Sequence, residues 1–440
     1  MAKKTAKKKK VAKKKPARRK TAAKPRTKAV GKKRIKQTKR TKGKKRTKGA
    51  AKKAAPIKAV RAAATPRFKA GKAPKIVSPK EMSQKIVASG AQIYADIVKK
   101  RKKPHMNFPV RALSNVKYDP RRGHFEIRGK TVTRTLTYNT VKTFAQSVRM
   151  MAVSKDLIKA DDTASKREVY YVSKNWGECR FNEQPESDTV MDDVEAMFGV
   201  NREQLRFIPE EDGGAVAGEL VIVDTDPSTK KKVRVDCTKL GTGAYNIPAN
   251  VEGFNFETKA RFILAVETAG MFQRLVKHKY YEKAKCVLVS LKGVPSRATR
   301  RFVRRLADEH RLPVYVFTDG DPYGYCNIYR TLKVGSGNAA HINRYFCVPQ
   351  ARFLGVTPQD ILDYKLKDAT HPLESVDIKR AKDALKNDPF IQHHKAWQDC
   401  LNHMLKMGVR IEQQAFAKHG LNFVLEQYLP EKMKKKAFLP

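Results

Sequence analysis

Two aspartates one residue apart end an apolar run in the sequence VYVFTDGDPYG, residues 314–324. Asp319 and Asp321 directly follow the apolar residues, and Pro322 and Gly324 come after them. Two carboxylates that lie close together repel each other and raise each other's pKa unless a positive charge lies between them. Hard oxygen ligands favour Mg²⁺ in that position. The alternative is an Asp-rich turn that caps a following helix, and this stretch alone leaves both interpretations open.

The pattern of strands and helices around these aspartates adds a third carboxylate to the predicted site. Between residues 260 and 335, three apolar segments (RFILAVET, CVLVSLKG and LPVYVFTDGD) alternate with helical segments. Continuous apolar strands that alternate with helices predict a βαβαβ unit, whose parallel sheet is covered on both faces. Chemistry in such sheets gathers at the carboxyl ends of the strands, where Glu267, Asp319 and Asp321 all fall. The sequence therefore predicts a site at this edge in which these three carboxylates bind Mg²⁺ as the cofactor.

Positive charge dominates the composition and is concentrated at the start of the chain. The 440 residues include 95 Lys and Arg against 42 Asp and Glu, a net charge of +53. Residues 1–80 hold 35 of the basic residues and no acidic one, so the remaining chain is still +18. Such a block repels itself and has little apolar surface to bury. We therefore predict a disordered, Lys/Arg-rich tail over residues 1–77.

The partner of so much positive charge is a polyanion. Nucleic acid is the leading candidate, because each Lys or Arg that meets a phosphate releases a counterion. An anionic membrane is the alternative, but the tail has no apolar face and no apolar stretch is long enough to span a bilayer. The six cysteines are scattered without a CxxC pair, which favours reduced thiols in a cytosolic or nuclear compartment. We expect double-stranded DNA as a partner and no membrane.

Helical and strand patterns divide the chain behind the tail. Residues 78–104 predict a helix, with Ser78 and Glu81 at the spacing of a capping box. Three further helices are predicted next, followed by a β-hairpin in which REQLRFI and GELVIVDTD flank the Gly-rich EEDGGAVAG. Helices followed by a hairpin is the order of a winged-helix DNA-binding domain, predicted over residues 105–256. Residues 257–440 then hold the βαβαβ unit and a C-terminal helical extension.

Several of these segments resemble a known family. A strand that ends in Glu, then a βα unit, then a strand that ends in DxD with a glycine close behind resembles the Toprim signature of topoisomerases, primases and some nucleases. VETAGMFQRL, KGVPSRATRRFVRRL and DGDPYGYCNIYRTLKVGS resemble the topoisomerase VI A subunit, whose family also covers the meiotic double-strand-break endonuclease. GAYNIPANVE and REVYYVSKNWG are similar to further segments of that family. The resemblance covers roughly residues 80–430 and leaves out the basic tail.

This resemblance implies roles for four more residues. Tyr171 is implied as the nucleophile, and Arg167 lies one helical turn earlier on the same face. A phenol with a pKa of about 10 is a weak nucleophile at neutral pH, and a neighbouring guanidinium stabilises the phenolate and clamps the phosphate. Arg297 is expected to contact a phosphate, because the resemblance places the start of its helix near DNA. Lys333 either contacts DNA or holds a turn, and both interpretations stay open.

The resemblance also implies an activity and its partners. A homodimeric type IIB topoisomerase A subunit would cut both DNA strands, with Tyr171 linked to each 5′ end. We find no Gly-rich ATP-binding signature, so strand passage requires a separate GHKL-type ATPase, the B subunit, in an A2B2 heterotetramer. The family suggests the helix at 78–104 as the contact with that ATPase. The expected location is the cytoplasm and nucleoid of a prokaryote or the nucleus of a eukaryote.

Two other functions fit parts of this pattern. A break-forming endonuclease of the same family would use the same residues without an ATP-driven cycle. A DNA-compacting chromatin protein with an inactive Toprim body is the other alternative, against which the complete set of Tyr171, Glu267, Asp319 and Asp321 argues.

Overall fold

The computed structural model describes residues 76–209, 212–226 and 228–440. The predicted disorder of the basic tail therefore falls almost entirely outside the described residues. Within them, helices surround a six-stranded mixed sheet, which confirms the predicted α/β class. No helix in this part of the chain combines the length and the apolar character that crossing a membrane requires.

A group of helices and short strands precedes the large sheet. Its first helix begins at the predicted capping box, in which the Glu81 amide donates to Ser78 Oγ at 3.3 Å and the Ser78 amide donates to Glu81 Oε2 at 2.9 Å. The apolar faces of these helices pack around a core that includes Phe144, Val169 and Met191. In chain order the elements are α1 Pro79–Val98, β1 His105–Pro109, β2 Val116–Asp119, β3 His124–Ile127, β4 Thr131–Thr135, α2 Val141–Ala160, β5 Ala164–Ser165, α3 Lys166–Val172, α4 Gln184–Phe198 and β6 Phe207–Ile208.

Five strands follow and lead into the predicted βαβαβ unit. The strands are β7 Ala215–Gly218, β8 Leu220–Thr225, β9 Lys232–Asp236, β10 Tyr245–Asn246 and β11 Asn255–Thr258. The βαβαβ unit consists of β12 Phe262–Val266, α5 Ala269–Lys277, α6 Tyr280–Ala284, β13 Cys286–Ser290, α7 Arg297–His310 and β14 Val314–Phe317. β12 lies between β13 and β14 and runs parallel to both, as the sequence predicts.

The C-terminal extension is helical and returns to the sheet. A π-helical turn, Gly324–Tyr329, follows β14 directly. The remaining elements are α8 Arg330–Lys333, α9 Asn343–Phe346, β15 Arg352–Gly355, α10 Pro358–Asp363, β16 His371–Pro372, α11 Ser375–Asn387, α12 Pro389–His393, α13 Lys395–Met407, β17 Val409–Arg410 and α14 Leu429–Lys435. β15 completes the large sheet, whose order is β10-β7-β13-β12-β14-β15.

The central strands are apolar throughout because both faces of the sheet are covered. Successive side chains of a strand point to opposite faces. Ile263 and Ala265 of β12 accordingly lie in one hydrophobic core, while Leu264 and Val266 lie in the other. The same alternation holds in β13 and β14. This burial explains the continuous apolar segments and leaves chemistry to the residues at the strand ends.

The predicted hairpin is wrong. β6 pairs in parallel with β5, whereas β8 lies between β9 and β11 in a separate three-stranded sheet. Between them, β7 enters the large sheet antiparallel to β13. A Cβ at Gly214 would lie 1.7 Å from the Ser290 carbonyl oxygen, and one at Gly218 would lie 2.6 Å from that of Cys286. The glycines that predict a turn therefore allow close packing of two strands.

The large sheet also draws strands from both sides of residue 256. β7 and β10 precede that position, yet both belong to the sheet built around β12. The division of the chain into domains at residue 256 stays a prediction.

Candidate active site

The ends of β12 and β14 bring two of the predicted carboxylates together. The strands are parallel neighbours, and Val266 pairs in register with Phe317. Glu267 and Asp319 therefore leave the sheet at the same edge. The Asp319 backbone amide donates a hydrogen bond to Glu267 Oε2 at 2.8 Å, so the glutamate is held directly against the turn that carries both aspartates.

The turn after β14 is fixed by backbone hydrogen bonds. Asp319 Oδ1 accepts from the Gln413 amide at 2.8 Å, and Asp321 Oδ1 accepts from the Gly324 amide at 2.6 Å. A Cβ at Gly324 would lie 2.7 Å from the Asp319 carbonyl oxygen and 3.2 Å from Asp321 Oδ1. The glycine close behind the two aspartates is therefore required because the chain passes directly over them.

Burial and mutual repulsion raise the pKa values of these carboxyl groups. Burial and the neighbouring Asp319 charge raise the pKa of Glu267 to about 8. Burial, with a smaller contribution from the Asp321 charge, raises the pKa of Asp319 to about 6. The pKa of Asp321 is also raised, mainly by burial, although Arg410 and Arg380 oppose that rise. A cation bound among them would relieve both the desolvation and the repulsion.

The donor atoms suit a hard divalent cation. In the described ranges, no Lys, Arg or His side chain forms a salt bridge with Glu267, Asp319 or Asp321. Partly buried carboxylates without a paired cation are ligands of the type that Mg²⁺ takes. The groups are not already arranged as a closed metal centre, since no three His, Cys, Asp or Glu side chains among the described residues are grouped so as to hold a metal ion.

The predicted nucleophile lies on the exposed face of α3. This helix begins at Ser165 with a second capping box, in which the Ser165 amide donates to Glu168 Oε2 at 2.6 Å. Glu168 therefore stabilises the start of the helix. Arg167 is exposed in the first turn, and the Tyr171 side chain is 57% exposed one turn later.

The two adjacent tyrosines of α3 differ in their partners. The Tyr170 hydroxyl donates to the Asn182 carbonyl oxygen at 3.1 Å, and the Lys174 ammonium lies 4.1 Å from the centre of the Tyr170 ring. Tyr171 stacks its ring at a tilt on that of Tyr170, with 5.4 Å between centroids, and its hydroxyl forms no hydrogen bond with any residue that the structure describes. Of the two phenols, that of Tyr171 is presented to the outside.

Within one chain the tyrosine and the carboxylates are not joined. No hydrogen bond or ion pair in the described part of the chain connects Arg167 or Tyr171 with the three carboxylates. The structure thus presents two separate groups, an exposed phenol beside a guanidinium and an acidic edge of a parallel sheet.

Comparison with known families decides between the possible classes. Residues 262–433 match the topoisomerase 6 A subunit/Spo11 Toprim domain, and residues 210–260 match the all-beta domain in the DNA topoisomerase VI alpha subunit. Residues 142–207 match the type IIB DNA topoisomerase model. The A subunit of type 2 DNA topoisomerase 6 from Methanocaldococcus jannaschii is 55% identical over 81% of this chain and 95% of its own length. The chain belongs to the topoisomerase VI A subunit/Spo11 family.

Other members of this family support the same assignment. The A subunit of type 2 DNA topoisomerase 6 from Methanothermobacter thermautotrophicus is 36% identical over 80% of this chain and 98% of its own length. The corresponding protein of Pyrococcus abyssi is 38% identical over 78% of this chain and 91% of its own length. The family resemblance drawn from the sequence is confirmed, and this member is an enzyme of the DNA topoisomerase class.

The structure gives internal partners to Arg297 and Lys333, the two cations expected at DNA. Arg297 Nη2 donates to Glu195 Oε1 at 2.7 Å and to Glu203 Oε2 at 3.1 Å inside the protein. Lys333 is 1% exposed, and its ammonium donates to two backbone carbonyl oxygens at 3.0 and 2.7 Å. These internal contacts compete with the expected contacts to phosphates, which stay predictions. Arg297 belongs to a buried ion network, and Lys333 holds the chain before β15.

One residue next to the acidic edge could not be predicted from the sequence. Gln413 donates its backbone amide to Asp319, which lies 94 positions earlier in the chain. No periodicity or spacing rule connects residues so far apart, and a single glutamine forms no motif. Only the fold identifies it as a neighbour of the site.

Proposed function

We propose that this chain is the DNA-cleaving subunit of a type IIB topoisomerase, which cuts and rejoins both strands of a duplex through 5′-phosphotyrosyl links. The observation that carries this proposal is the acidic edge, where Glu267 and Asp319 are in direct contact and have no cationic partner among the described residues. Mg²⁺ bound there by Glu267, Asp319 and Asp321 would polarise the scissile phosphate and stabilise the departing 3′-oxygen.

The residues of α3 supply the nucleophile. The Tyr171 oxygen would attack the phosphorus, form a new P–O bond and release the 3′-oxygen, while the phenol loses its proton. The exposed guanidinium of Arg167, one turn away, would stabilise the phenolate and hold the phosphate. Rejoining is the reverse reaction, in which the 3′-hydroxyl attacks the phosphotyrosine and releases Tyr171.

The separation of the two groups favours a homodimer. Because no hydrogen bond or ion pair among the described residues joins Tyr171 to the carboxylates, each cleavage centre would combine the tyrosine of one protomer with the acidic edge of its partner. Two such centres in one dimer would cut the two strands of the duplex. The helices α2, α3 and α4, which share one core, and the antiparallel pair of β1 and β4 beside α4 would form the DNA-binding winged-helix domain.

A second protein would drive strand passage. Val87, Tyr94 and Val98 on α1 are 50, 60 and 54% exposed, and their spacing places them on one face of the helix. We propose this apolar face as the contact with a GHKL-type ATPase B subunit in an A2B2 complex. Each relative named above is the A subunit of a type 2 topoisomerase, which supports a complex with a further type of chain.

The family also includes break-forming endonucleases, for which the cleavage residues would be the same. The relatives named above all carry the name of a topoisomerase, which favours the complete cycle of cleavage, passage and rejoining. These relatives come from prokaryotes, so we place the enzyme in the cytoplasm at the nucleoid. An inactive chromatin protein is disfavoured by the intact acidic edge.

Relaxation of supercoiled plasmid tests the proposal. The full-length chain is incubated with plasmid, Mg²⁺ and ATP, with and without the purified B subunit of the Methanocaldococcus relative. We expect relaxation only with the B subunit, and none by Glu267→Gln or Asp319→Asn, because neutral ligands weaken a hard cation site. Asp321→Asn should have a milder effect. Relaxation by all three variants in EDTA would contradict the metal mechanism, whereas protein-linked breaks that are never accompanied by relaxation would favour the endonuclease.

A further inference from the structure

One buried glutamine joins the two strand ends that carry the acidic residues. Gln413 is fully buried, on the segment after β17. Its Nε2 donates to the Phe317 carbonyl oxygen at 2.7 Å, and its Oε1 accepts from the Thr268 hydroxyl at 2.8 Å. Phe317 ends β14, and Thr268 directly follows Glu267 at the end of β12. A single side chain therefore bridges the two strands at the point where their carboxylates begin.

The backbone around Gln413 is bonded to the same turn. Its amide donates to Asp319 Oδ1 at 2.8 Å. Two residues earlier, Ile411 and Gly320 exchange backbone hydrogen bonds of 2.8 and 3.1 Å. A Cβ at position 320 would lie 2.6 Å from Ile411 Cγ2, so the two segments reach this distance because residue 320 is glycine. The C-terminal extension is thus hydrogen-bonded to the turn through its backbone, and the Gln413 side chain adds a hydrogen bond to the residue after Glu267 at the end of β12.

Loss of this side chain would remove two hydrogen bonds from the strand ends. The Thr268 hydroxyl would lose its bond to Gln413 Oε1, and the Phe317 carbonyl oxygen would keep only the Glu267 backbone amide, which donates to it at 3.0 Å. The strand ends would shift to recover partners, and with them Glu267 and Asp319. Ligand groups must be held to about 0.5 Å for a site to work well, and loss of a residue that orients metal ligands lowers metal affinity about 10–100-fold.

We propose that Gln413 is a positioning residue of the acidic site, which keeps Glu267 and Asp319 at the separation at which they bind one divalent cation together. The inference rests on the proposed function, because it takes these carboxylates to be the ligands of Mg²⁺. Gln413 has no contact with the reacting phosphate in this scheme and acts through the geometry of the two strand ends.

Replacement of Gln413 by methionine tests this role. Methionine has a similar length and packs well, but it makes neither hydrogen bond. Calorimetric titration of Mg²⁺ into the full chain without DNA should show a dissociation constant raised about 10–100-fold. Plasmid cleavage should need correspondingly more Mg²⁺, while DNA affinity measured in EDTA stays unchanged.

Gln146→Met is the matched control. Gln146 is also fully buried, and its Nε2 donates to Glu186 Oε1 at 2.8 Å in the separate core of the N-terminal helices. Its replacement should lower the melting temperature to a similar extent but leave the Mg²⁺ dissociation constant unchanged. A general loss of stability would change the Mg²⁺ dissociation constant of both variants equally. A positioning role changes that constant only for Gln413→Met.

Two further variants distinguish a failure of the positioning role from a failure of the proposed metal site. Thr268→Val removes one hydroxyl and one of the two side-chain bonds, and it should weaken Mg²⁺ binding by a smaller factor even if Gln413→Met does not fold. Glu267→Gln tests the metal site itself, and undiminished Mg²⁺ binding by this variant would refute the proposed function. If Glu267→Gln abolishes binding while Gln413→Met and Thr268→Val bind within about twofold of wild type, the metal site stands and the positioning role is overturned.

Discussion

Tyr170 and Tyr171 are adjacent in the sequence, but their phenols have different surroundings. The Tyr170 hydroxyl is bonded to the Asn182 carbonyl and its ring is covered by Lys174, whereas Tyr171 is more than half exposed. A nucleophile must reach the phosphorus of an incoming duplex, which the tethered phenol of Tyr170 does poorly. The structure thus adds an independent argument for the tyrosine that the family pattern selects.

We therefore expect Tyr171→Phe to abolish DNA cleavage, with a loss of at least about 10³-fold, while folding and DNA binding persist. Tyr170→Phe is the control, because it removes only a hydroxyl that bonds a backbone carbonyl, and it should lose less than about 1.5 kcal/mol of stability and keep cleavage. Denatured cleavage reactions, digested with protease and analysed by mass spectrometry, identify the tyrosine that carries DNA. An adduct on Tyr170 would reverse the assignment.

The carboxyl group of Glu267 should make the stability of the metal-free protein depend on pH. Its pKa is about 8 in the fold, against an ordinary value of 4.5. Between these values the unfolded chain has lost the proton that the folded chain keeps, so folding takes up a proton and stability falls as pH rises. The loss through this one group amounts to at most about 1.4 kcal/mol per pH unit.

Glu267→Gln removes this titration, so the free energy of unfolding of the variant minus that of wild type should increase from pH 5 to pH 8 in EDTA. Urea unfolding at several pH values gives this difference directly. Mg²⁺ at saturating concentration should reduce the pH dependence of the wild type, because the cation stabilises the ionised carboxylate. A constant difference across this pH range would contradict the raised pKa of Glu267.

Helix α4 and helix α7 are joined by a buried ion network. Glu195 on α4 is fully buried and accepts from Arg297 at 2.7 Å and from the Arg202 backbone amide at 2.6 Å, while His341 lies 3.1 Å from its other oxygen. Although burial alone would raise the pKa of the Glu195 carboxyl, the Arg297 and Arg202 guanidinium groups lower it. Because α4 packs on α3, the network fixes the helix that carries Tyr171 relative to the Toprim sheet.

Removal of the central carboxylate should be costly. Glu195→Ala leaves Arg297 with one partner fewer in a dry site, and we expect a loss of about 3–5 kcal/mol in the free energy of unfolding. Arg234→Ala is the matched control, since Arg234 and Glu257 form a two-bond pair of 2.7 and 2.6 Å whose side chains are 56 and 53% exposed. That pair lies in solvent, so Arg234→Ala should lower the free energy of unfolding far less than Glu195→Ala does. Equal urea midpoints for the two variants would show that the network does not join the helices.

The elements differ in how far the sequence predicts them. The βαβαβ unit was predictable because its strands are apolar on both faces and its helices are amphipathic, and its carboxylates follow from the strand ends. The hairpin prediction failed because EEDGGAVAG looks like a turn, while Gly214 and Gly218 in fact allow β7 to approach β13. A glycine gives the same local signal for a turn and for close packing, and only the pairing of distant strands separates the two.

Contacts between residues far apart in the sequence also limit how much of the site can be predicted. Glu267, Asp319 and Asp321 could be found because each follows a recognisable strand, but Gln413 has no local signature and becomes a neighbour only through the return of the C-terminal extension. Arg297 and Lys333 show a related limit, because their charges suggest exposure, whereas the fold buries Lys333 and pairs Arg297 with two internal carboxylates. Charge in a sequence predicts a solvated or DNA-facing side chain only where the fold provides no internal partner.

The basic tail gives the full chain a charge pattern that the rest of the sequence does not share. Residues 1–80 contribute 35 Lys and Arg without an acidic residue. If about six to ten of them meet phosphates, DNA affinity should fall about 10³–10⁵-fold between about 50 and 200 mM salt. Contacts of this kind position a protein on the DNA backbone and carry little sequence information.

Deletion of residues 1–75 should therefore weaken DNA binding at low salt and flatten the dependence of affinity on salt, without loss of cleavage at saturating DNA. The cut leaves the start of the described chain intact, because the Val77 amide still donates to Gln204 Oε1 at 2.6 Å and α1 keeps its cap at Ser78. Any contact of α1 with a B subunit should persist. A full-length variant with every Lys and Arg of residues 1–75 replaced by Gln separates charge from length, and it should match the deletion in a fluorescence anisotropy titration over salt. An unchanged salt slope in both would show that the tail does not bind DNA, and a protein or membrane partner would then explain its charge.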